Sequence, residues 1–263
     1  MQSFSVRAEL EAEAWAAVGR VNDPELDEPV TEMGFVERIE VADDGSVALD
    51  FRLPTYWCSP NFAFLMLDGV RQALERLSWT LSVRITLHDH LFADEVNQGV
   101  AAGKRFEEIF EELAPGENLD ALRLQFQMKA FQKRQEAALV QLREAGWSPR
   151  ETLALERRQL RPPPPGLAVA FERYEQALKT RFPDAPPTAP AFVDWQGAPI
   201  EPVDFAEHMA RLRAVRINME FNGALCRGLK QVRYREKAIS DSELTLVDFL
   251  HTPVAACGAP ARD

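Results

Sequence analysis

The chain has 263 residues, 46% hydrophobic and 27% charged, with a net charge of −11 and three cysteines. That is the profile of a soluble globular protein with enough length for a sizeable core, in one large domain or two small ones. No apolar run approaches the roughly 18 to 20 residues that span a bilayer, the N-terminus lacks the basic-then-apolar order of a secretory signal, and the odd, scattered cysteines argue for a reducing cytoplasm over a disulfide framework.

Residues 1–103 hold 7 Lys and Arg against 18 Asp and Glu, a net of −11, whereas residues 104–263 hold 23 of each. A compositional boundary near Gly103 follows, and the acidic first part would repel nucleic-acid phosphates. Within it, residues 5–21 read as a helix with Val6, Leu10, Trp15, Val18 and Val21 near one face. The helix ends before Asn22-Asp23-Pro24-Glu25, because proline pushes its predecessor out of helical geometry. Phe35 to Val41 and Val47 to Leu53 alternate, the first imperfectly, around the turn Asp43-Asp44-Gly45-Ser46, which predicts a β-hairpin. Phe62 to Leu77 predicts a helix with Phe62, Leu65, Met66, Val70 and Leu74 inward, and Trp79 to Leu87 a third strand. The connection from the second strand through that helix suits a parallel crossover.

Beyond Asn97 the pattern is helical. Gly103 to Leu113 and Asn118 to Ala145 are amphipathic, with Gly146 as C-cap. Ser148-Pro149-Arg150-Glu151 opens a helix expected to reach about Leu160, and Pro162 to Pro165 stops it. Ala168 to Phe182 is another helix, followed by a proline-rich linker over 183–190; Asp204-Phe205-Ala206-Glu207 and Ser240-Asp241-Ser242-Glu243 are further capping boxes. The fold class is therefore α+β: a small helix-strand-strand-helix-strand layer over 1–103, then a mainly helical domain over 104–263.

Four constellations carry chemistry. Cys58 sits where a strand turns into a helix, a corner whose free N–H groups favour a thiolate, an anion or a metal-bound sulfur; a small buried hydrophobe is the plainer reading. Asp23-Pro24-Glu25-Leu26-Asp27 reads on spacing alone as a solvated acidic turn. His88-Asp89-His90 ends the third strand, and in extended backbone the two imidazoles would point to one side as paired metal ligands. The basic run Arg211, Arg213, Arg216, Arg227, Lys230, Arg233, Arg235 and Lys237 would be a solvated helix face, or would dock onto the acidic first domain or an acidic partner. Cys226 looks like helix packing, and Cys257 lies in a C-terminal tail.

Asn22-Asp23-Pro24-Glu25-Leu26, Val30-Thr31-Glu32-Met33-Gly34-Phe35-Val36, the hairpin, and Leu53-Pro54-Thr55 leading to Cys58 together resemble the metal-sulfur cluster assembly family. This family groups SufT-like, PaaD-like and cytosolic iron–sulfur targeting proteins. The resemblance covers about residues 10–100. It implies a small α/β domain that helps insert or mature iron–sulfur or related metal centres in client enzymes, with a bacterial metal-dependent oxygenase as one class of client. Carried over by position, Asp23, Glu25, Thr55 and Cys58 are the residues of interest. Here Cys58 precedes Ser59-Pro60 where Cys-Pro is common in the family, Tyr56-Trp57 are bulky, and His88-Asp89-His90 follows the last strand.

The expected role is an accessory factor, not a turnover enzyme. Cys58 would be the transient thiolate for iron or an iron–sulfur cluster, His88 and His90 further metal ligands, and Asp23, Glu25 and Thr55 polarising groups. The partner would be a client metalloenzyme, with no nucleic acid and no membrane. One thiolate per chain cannot hold a four-cysteine cluster, so either two chains share the metal as a homodimer or the site is transient. Two rivals are a metal-free interaction adaptor with Cys58 in its core, and a cysteine-dependent enzyme with His88 or His90 bonded to the sulfur.

Overall fold

The computed structural model describes the backbone of residues 2–112, 119–161 and 168–240, and side chains over 6–112, 119–161 and 169–234. The predicted stop at 162–165, the capping box running on from Ser240, the side chains of Arg235 and Lys237, and the Cys257 tail lie outside the described parts.

The chain opens with helix α1, Gln2–Val18. Its buried residues are Ala14, Ala17 and Val18, while Val6 and Trp15 are exposed. Of the stripe expected from periodicity, Val18 is buried and Leu10 and Val21 pack against the core, whereas the small residues Ala14 and Ala17 take the inward places that Val6 and Trp15 do not. A two-residue ribbon follows, β1 (Asn22–Asp23) paired antiparallel with β2 (Glu28–Pro29). Next come β3 (Val36–Val41) and β4 (Ser46–Arg52), the expected hairpin. Its register shifts between Val36 and Arg38, an irregularity that accounts for the imperfect alternation there. Gly45 takes φ +85, and a Cβ on it would lie 2.4 Å from the Trp79 carbonyl oxygen, so only glycine fits this turn.

Helix α2 (Pro60–Glu75) crosses to β5 (Ser82–His88), which runs parallel to β4 in the sheet order β3-β4-β5. Val47, Leu49 and Phe51 of β4 and Ile85 and Leu87 of β5 share the buried face with Phe35, Ile39 and Val41. Met66, Leu67, Val70 and Leu74 of α2 close the same core, the inward stripe expected of that helix. Ser46, Ala48, Asp50 and Arg52 fall on the opposite face, in register with Ser82, Arg84, Thr86 and His88.

The helical part begins earlier than expected, with α3 (Ala93–Ala101), and the amphipathic run after Gly103 folds only as α4 (Phe106–Ile109). Phe106, Phe110 and Leu119 still belong to the first core. The long α5 (Asp120–Glu144) ends at Gly146, φ +86. The capping box forms: Ser148 Oγ accepts the Glu151 N–H and the Glu151 carboxylate accepts the Ser148 N–H. However, α6 stops at Pro149–Leu153, and a 3-10 turn at Arg157–Leu160 replaces the rest of the expected helix. Leu155 and the residues after it bond instead to the 187–191 strap through Ala191 N–H to Leu155 O and Arg157 N–H to Ala189 O. Helices α7 (Ala168–Arg181) and α8 (Phe205–Ser240) complete the chain.

A second core forms around Phe131, Leu139, Leu142, Phe171, Tyr174 and Phe192. At its centre Gln135 donates to Tyr174 Oη and Val193 O, accepts from His208 Nε2 at 2.6 Å, and Tyr174 O–H donates to Ala191 O. The Gln135 amide and the Tyr174 hydroxyl are both satisfied in that buried network, so it fixes α5, α7 and α8 relative to one another.

Candidate functional site

The site is built where β4 ends. Leu53 and Pro54 leave the sheet, and Ser59 is the N-cap of α2 with Pro60 at its first turn. Cys58 therefore stands one residue before the cap of a sixteen-residue helix. Its thiol is half-buried and lies 3.2 Å from Thr55 Oγ1, a hydroxyl placed to donate to sulfur as a thiolate forms. The loop is held from the other side. His90 Nε2 donates to the Cys58 carbonyl at 2.7 Å, its Nδ1 accepts the Phe92 N–H at 3.2 Å, and Leu91 N–H donates to Tyr56 O. Beside the thiol, Tyr56 and Trp57 stack edge to face and stand out of the surface, Trp57 73% exposed.

The acidic segment is not the solvated turn that its spacing predicts. Asp23 and Asp27 are buried. Asp23 Oδ1 accepts the N–H groups of Glu25 and Leu26, and burial, against those two hydrogen bonds, pushes its pKa up to about 6. Asp27, in left-handed backbone at φ +53, receives Arg134 through both carboxylate oxygens at 2.6 and 2.9 Å and Arg173 at 3.1 Å. Glu25 meets Lys129 at 3.5 Å, and Glu28 meets Arg227 and Lys133. The cations come from α5, α7 and α8, so the segment is buried under the helical half.

Residues 11–87 match the sequence model of the family described as iron–sulfur cluster assembly protein. This stretch is an iron–sulfur cluster assembly domain. The chain is also 34% identical over 79 residues to the iron–sulfur cluster carrier proteins of Mycobacterium bovis and Mycobacterium tuberculosis, a match covering 30% of this chain and 20% of each of those proteins. The chain thus spans about a fifth of the length of the curated relatives it matches. No solved structure matches it.

Around the assembly domain, the expected site residues fall into two groups. Thr55 and Cys58 are together, and His90 touches the Cys58 backbone but not the sulfur. Its two nitrogens are both engaged, and burial pushes its pKa below the ordinary 6.5 against the bond to the Cys58 carbonyl, so the neutral Nε2–H tautomer locks the loop. His88 is elsewhere: it lies on the outer face of the sheet, 2.8 Å from Asp50. Asp89 between them has φ +51, which ends the extended backbone on which a shared direction for the two imidazoles depended. Among the described residues no three His, Cys, Asp or Glu side chains are grouped to hold an ion. The donor set thus fits a cargo site completed from outside better than a resident, closed metal centre.

Of the basic run of α8, Arg227, Lys230 and Arg233 dock onto the assembly domain, while Arg211 pairs with Glu207 and Arg216 with Glu136 and Glu220. Arg227 pairs with Glu28 and reaches Met33 Sδ, Lys230 donates to Gly34 O, Arg233 to Asp89 O at 2.8 Å, and Tyr234 to Leu53 O. Cys226, read from the sequence as helix packing, packs against the core of the assembly domain as Cys58 does. Burial, then the nearby Asp23, Cys58 and Glu25, push its pKa up to about 11. Its only sequence signal was its place among the docking cations.

Proposed function

We propose that this protein carries an iron–sulfur cluster, or its iron, on the Cys58 corner and hands it to a client metalloenzyme, with the helical half helping to recognise that client. The observation carrying this reading is the half-buried Cys58 thiol at a helix entrance, bonded to Thr55 and flanked by exposed Trp57. A sulfur so placed is held steady yet reachable by a partner surface. The assembly-domain match and the cluster-carrier relatives support the cargo. On α8, Ile217, Phe221, Leu225, Leu229 and Val232 are exposed, and the last three border an apolar groove with Tyr56 and Trp57, next to the thiol. That groove gives the client an apolar surface to bind as it meets Cys58. The cysteine-enzyme reading lacks its base, because both His90 nitrogens are engaged by the Cys58 carbonyl and the Phe92 N–H and His88 lies on the outer face of the sheet against Asp50.

The test is anaerobic reconstitution with iron and sulfide on wild type and Cys58→Ala, followed by transfer to an apo-ferredoxin acceptor. Cys58-dependent uptake and transfer are expected. Equal, negligible uptake by both proteins would overturn the carrier reading in favour of a metal-free adaptor.

A further inference from the structure

A second cysteine, Cys226 of α8, packs against the same core as the corner thiol from outside the family-matched stretch. Along α8, Gly223 lies against the Glu28 carboxylate, Arg227 binds Glu28 and Met33, and Lys230 binds Gly34. On the adjoining side of the same helix, Ala224, Leu225 and Gly228 border the groove against Pro54 to Trp57. Cys226 lies on the same helix between these contacting residues and packs against the core to which the Cys58 corner also belongs. Both thiols are half-buried against the same core, and Cys226 lies within electrostatic reach of Asp23, Cys58 and Glu25.

We propose that Cys58 and Cys226 form a two-thiolate half-site for an iron ion or one edge of an iron–sulfur cluster. This rests on the carrier reading above. As each sulfur bonds the metal its thiol proton passes to water, and no electron changes hands. The remaining positions are filled by the cargo's sulfide or by client ligands, since among the described residues no third donor joins the two thiols. Cys226 supplies within one chain the second thiolate that a homodimer was expected to bring, and α8 becomes part of the cargo site. A half-site of two thiolates also suits release, because a client offering more ligands wins the metal.

The test uses the full chain with Cys257→Ser as background, so that any sulfur signal comes from the two remaining cysteines. Anaerobic titration with Co(II) reads the sulfur-to-cobalt charge-transfer band. Cys226→Ser and Cys58→Ser should each lose about half the band and bind at least about tenfold more weakly, and the double variant should lose the band. A Cys226→Ser protein with the full band and affinity overturns the half-site. If that variant also loads iron and sulfide and transfers them normally while Cys58→Ala does not, the carrier reading stands without Cys226. If the background protein takes up neither cobalt nor cluster, both readings fall.

A second measurement does not depend on the variants folding. Phenylarsine oxide condenses with two neighbouring thiols, releasing one water, and intact mass and peptide mapping should show one arsenical bridging Cys58 and Cys226. Absence of that bridge on folded protein overturns the proposal.

Discussion

Removing the Asp27 carboxylate should loosen the assembly domain from the helical half more than any other single change at their junction. Asp27 is 3% exposed and receives two guanidinium groups, Arg134 bidentately and Arg173 at one oxygen, while Asn22 donates to it at 2.8 Å. Breaking a buried pair from one side costs about 3–5 kcal/mol because the partner charge is left uncompensated. Here Arg134 and Arg173 keep 21% and 46% of their side-chain surface in water, which places the loss near about 3 kcal/mol. Alanine at φ +53 adds about 1 kcal/mol. Asp27→Ala should therefore cost about 4 kcal/mol, and Asp27→Asn, which tolerates left-handed backbone and keeps one acceptor, about half as much. The assay is urea unfolding of wild type, both Asp27 variants, Arg134→Ala and the Asp27→Ala/Arg134→Ala double variant, followed by far-ultraviolet dichroism. A loss under about 1 kcal/mol for Asp27→Ala, or strict additivity in the double variant, would refute the reasoning.

Further outcomes follow from other residues. Gly45→Ala should destabilise by at least about 1–3 kcal/mol, since it adds a forbidden Cβ contact with Trp79 O to a positive φ; thermal melts read this. Thr55→Val should slow iodoacetamide alkylation of Cys58 about three- to tenfold without changing Cys226, because the hydroxyl that supports the thiolate is gone. Burial, with Arg211 adding to it, lowers the His208 pKa from 6.5, so the folded state holds a neutral imidazole and the unfolded chain takes up the proton. Its contribution is complete above pH 6.5 and is lost as pH falls below it. In urea titrations between pH 7 and 5, His208→Gln should show a shallower fall in stability than wild type, by at most about 1.4 kcal/mol per pH unit.

The elements legible in the sequence are those set by neighbours along the chain. The hairpin follows from alternation around Gly45, α2 from its apolar stripe after Ser59-Pro60, and α6 from the Ser148–Glu151 box. The Thr55–Cys58 pair was legible for the same reason, being three residues apart at one corner. What was not legible depends on distant partners. Asp23 and Asp27 read as solvated because nothing within twenty residues neutralises them, and the cations that cover Asp27 come 107 and 146 residues later. The His88–His90 expectation assumed extended backbone through Asp89, and the positive φ there has no local signal beyond the tolerance of aspartate for it.

Helix α8 reverses the usual amphipathic rule, and this connects the charge pattern to the site. A helix ordinarily buries its apolar stripe. Here the described part of α8 beyond Met219 turns Arg227, Lys230 and Arg233 toward the assembly domain and leaves Phe221, Leu225, Leu229 and Val232 exposed. The partner surface explains the inversion: it is acidic at Glu28 and presents the backbone carbonyls of Gly34, Leu53 and Asp89 as acceptors, so cations bind it better than leucines would. The one small, weakly polar residue on that docking face is Cys226, which can approach the corner without placing another charge beside Cys58. Loss of α8 docking would therefore remove the second sulfur, uncover Glu28 and dismantle the apolar groove in one step. Charge reversal at Glu28, written Glu28→Lys, should do this by repelling Arg227 and Lys133. Its signature is a joint loss of cobalt affinity and of the Cys58–Cys226 arsenical bridge, with Cys58 alkylation preserved. If the bridge survives Glu28→Lys, α8 is held over the corner by its carbonyl contacts alone, and the acidic excess of the first hundred residues has no part in building the site.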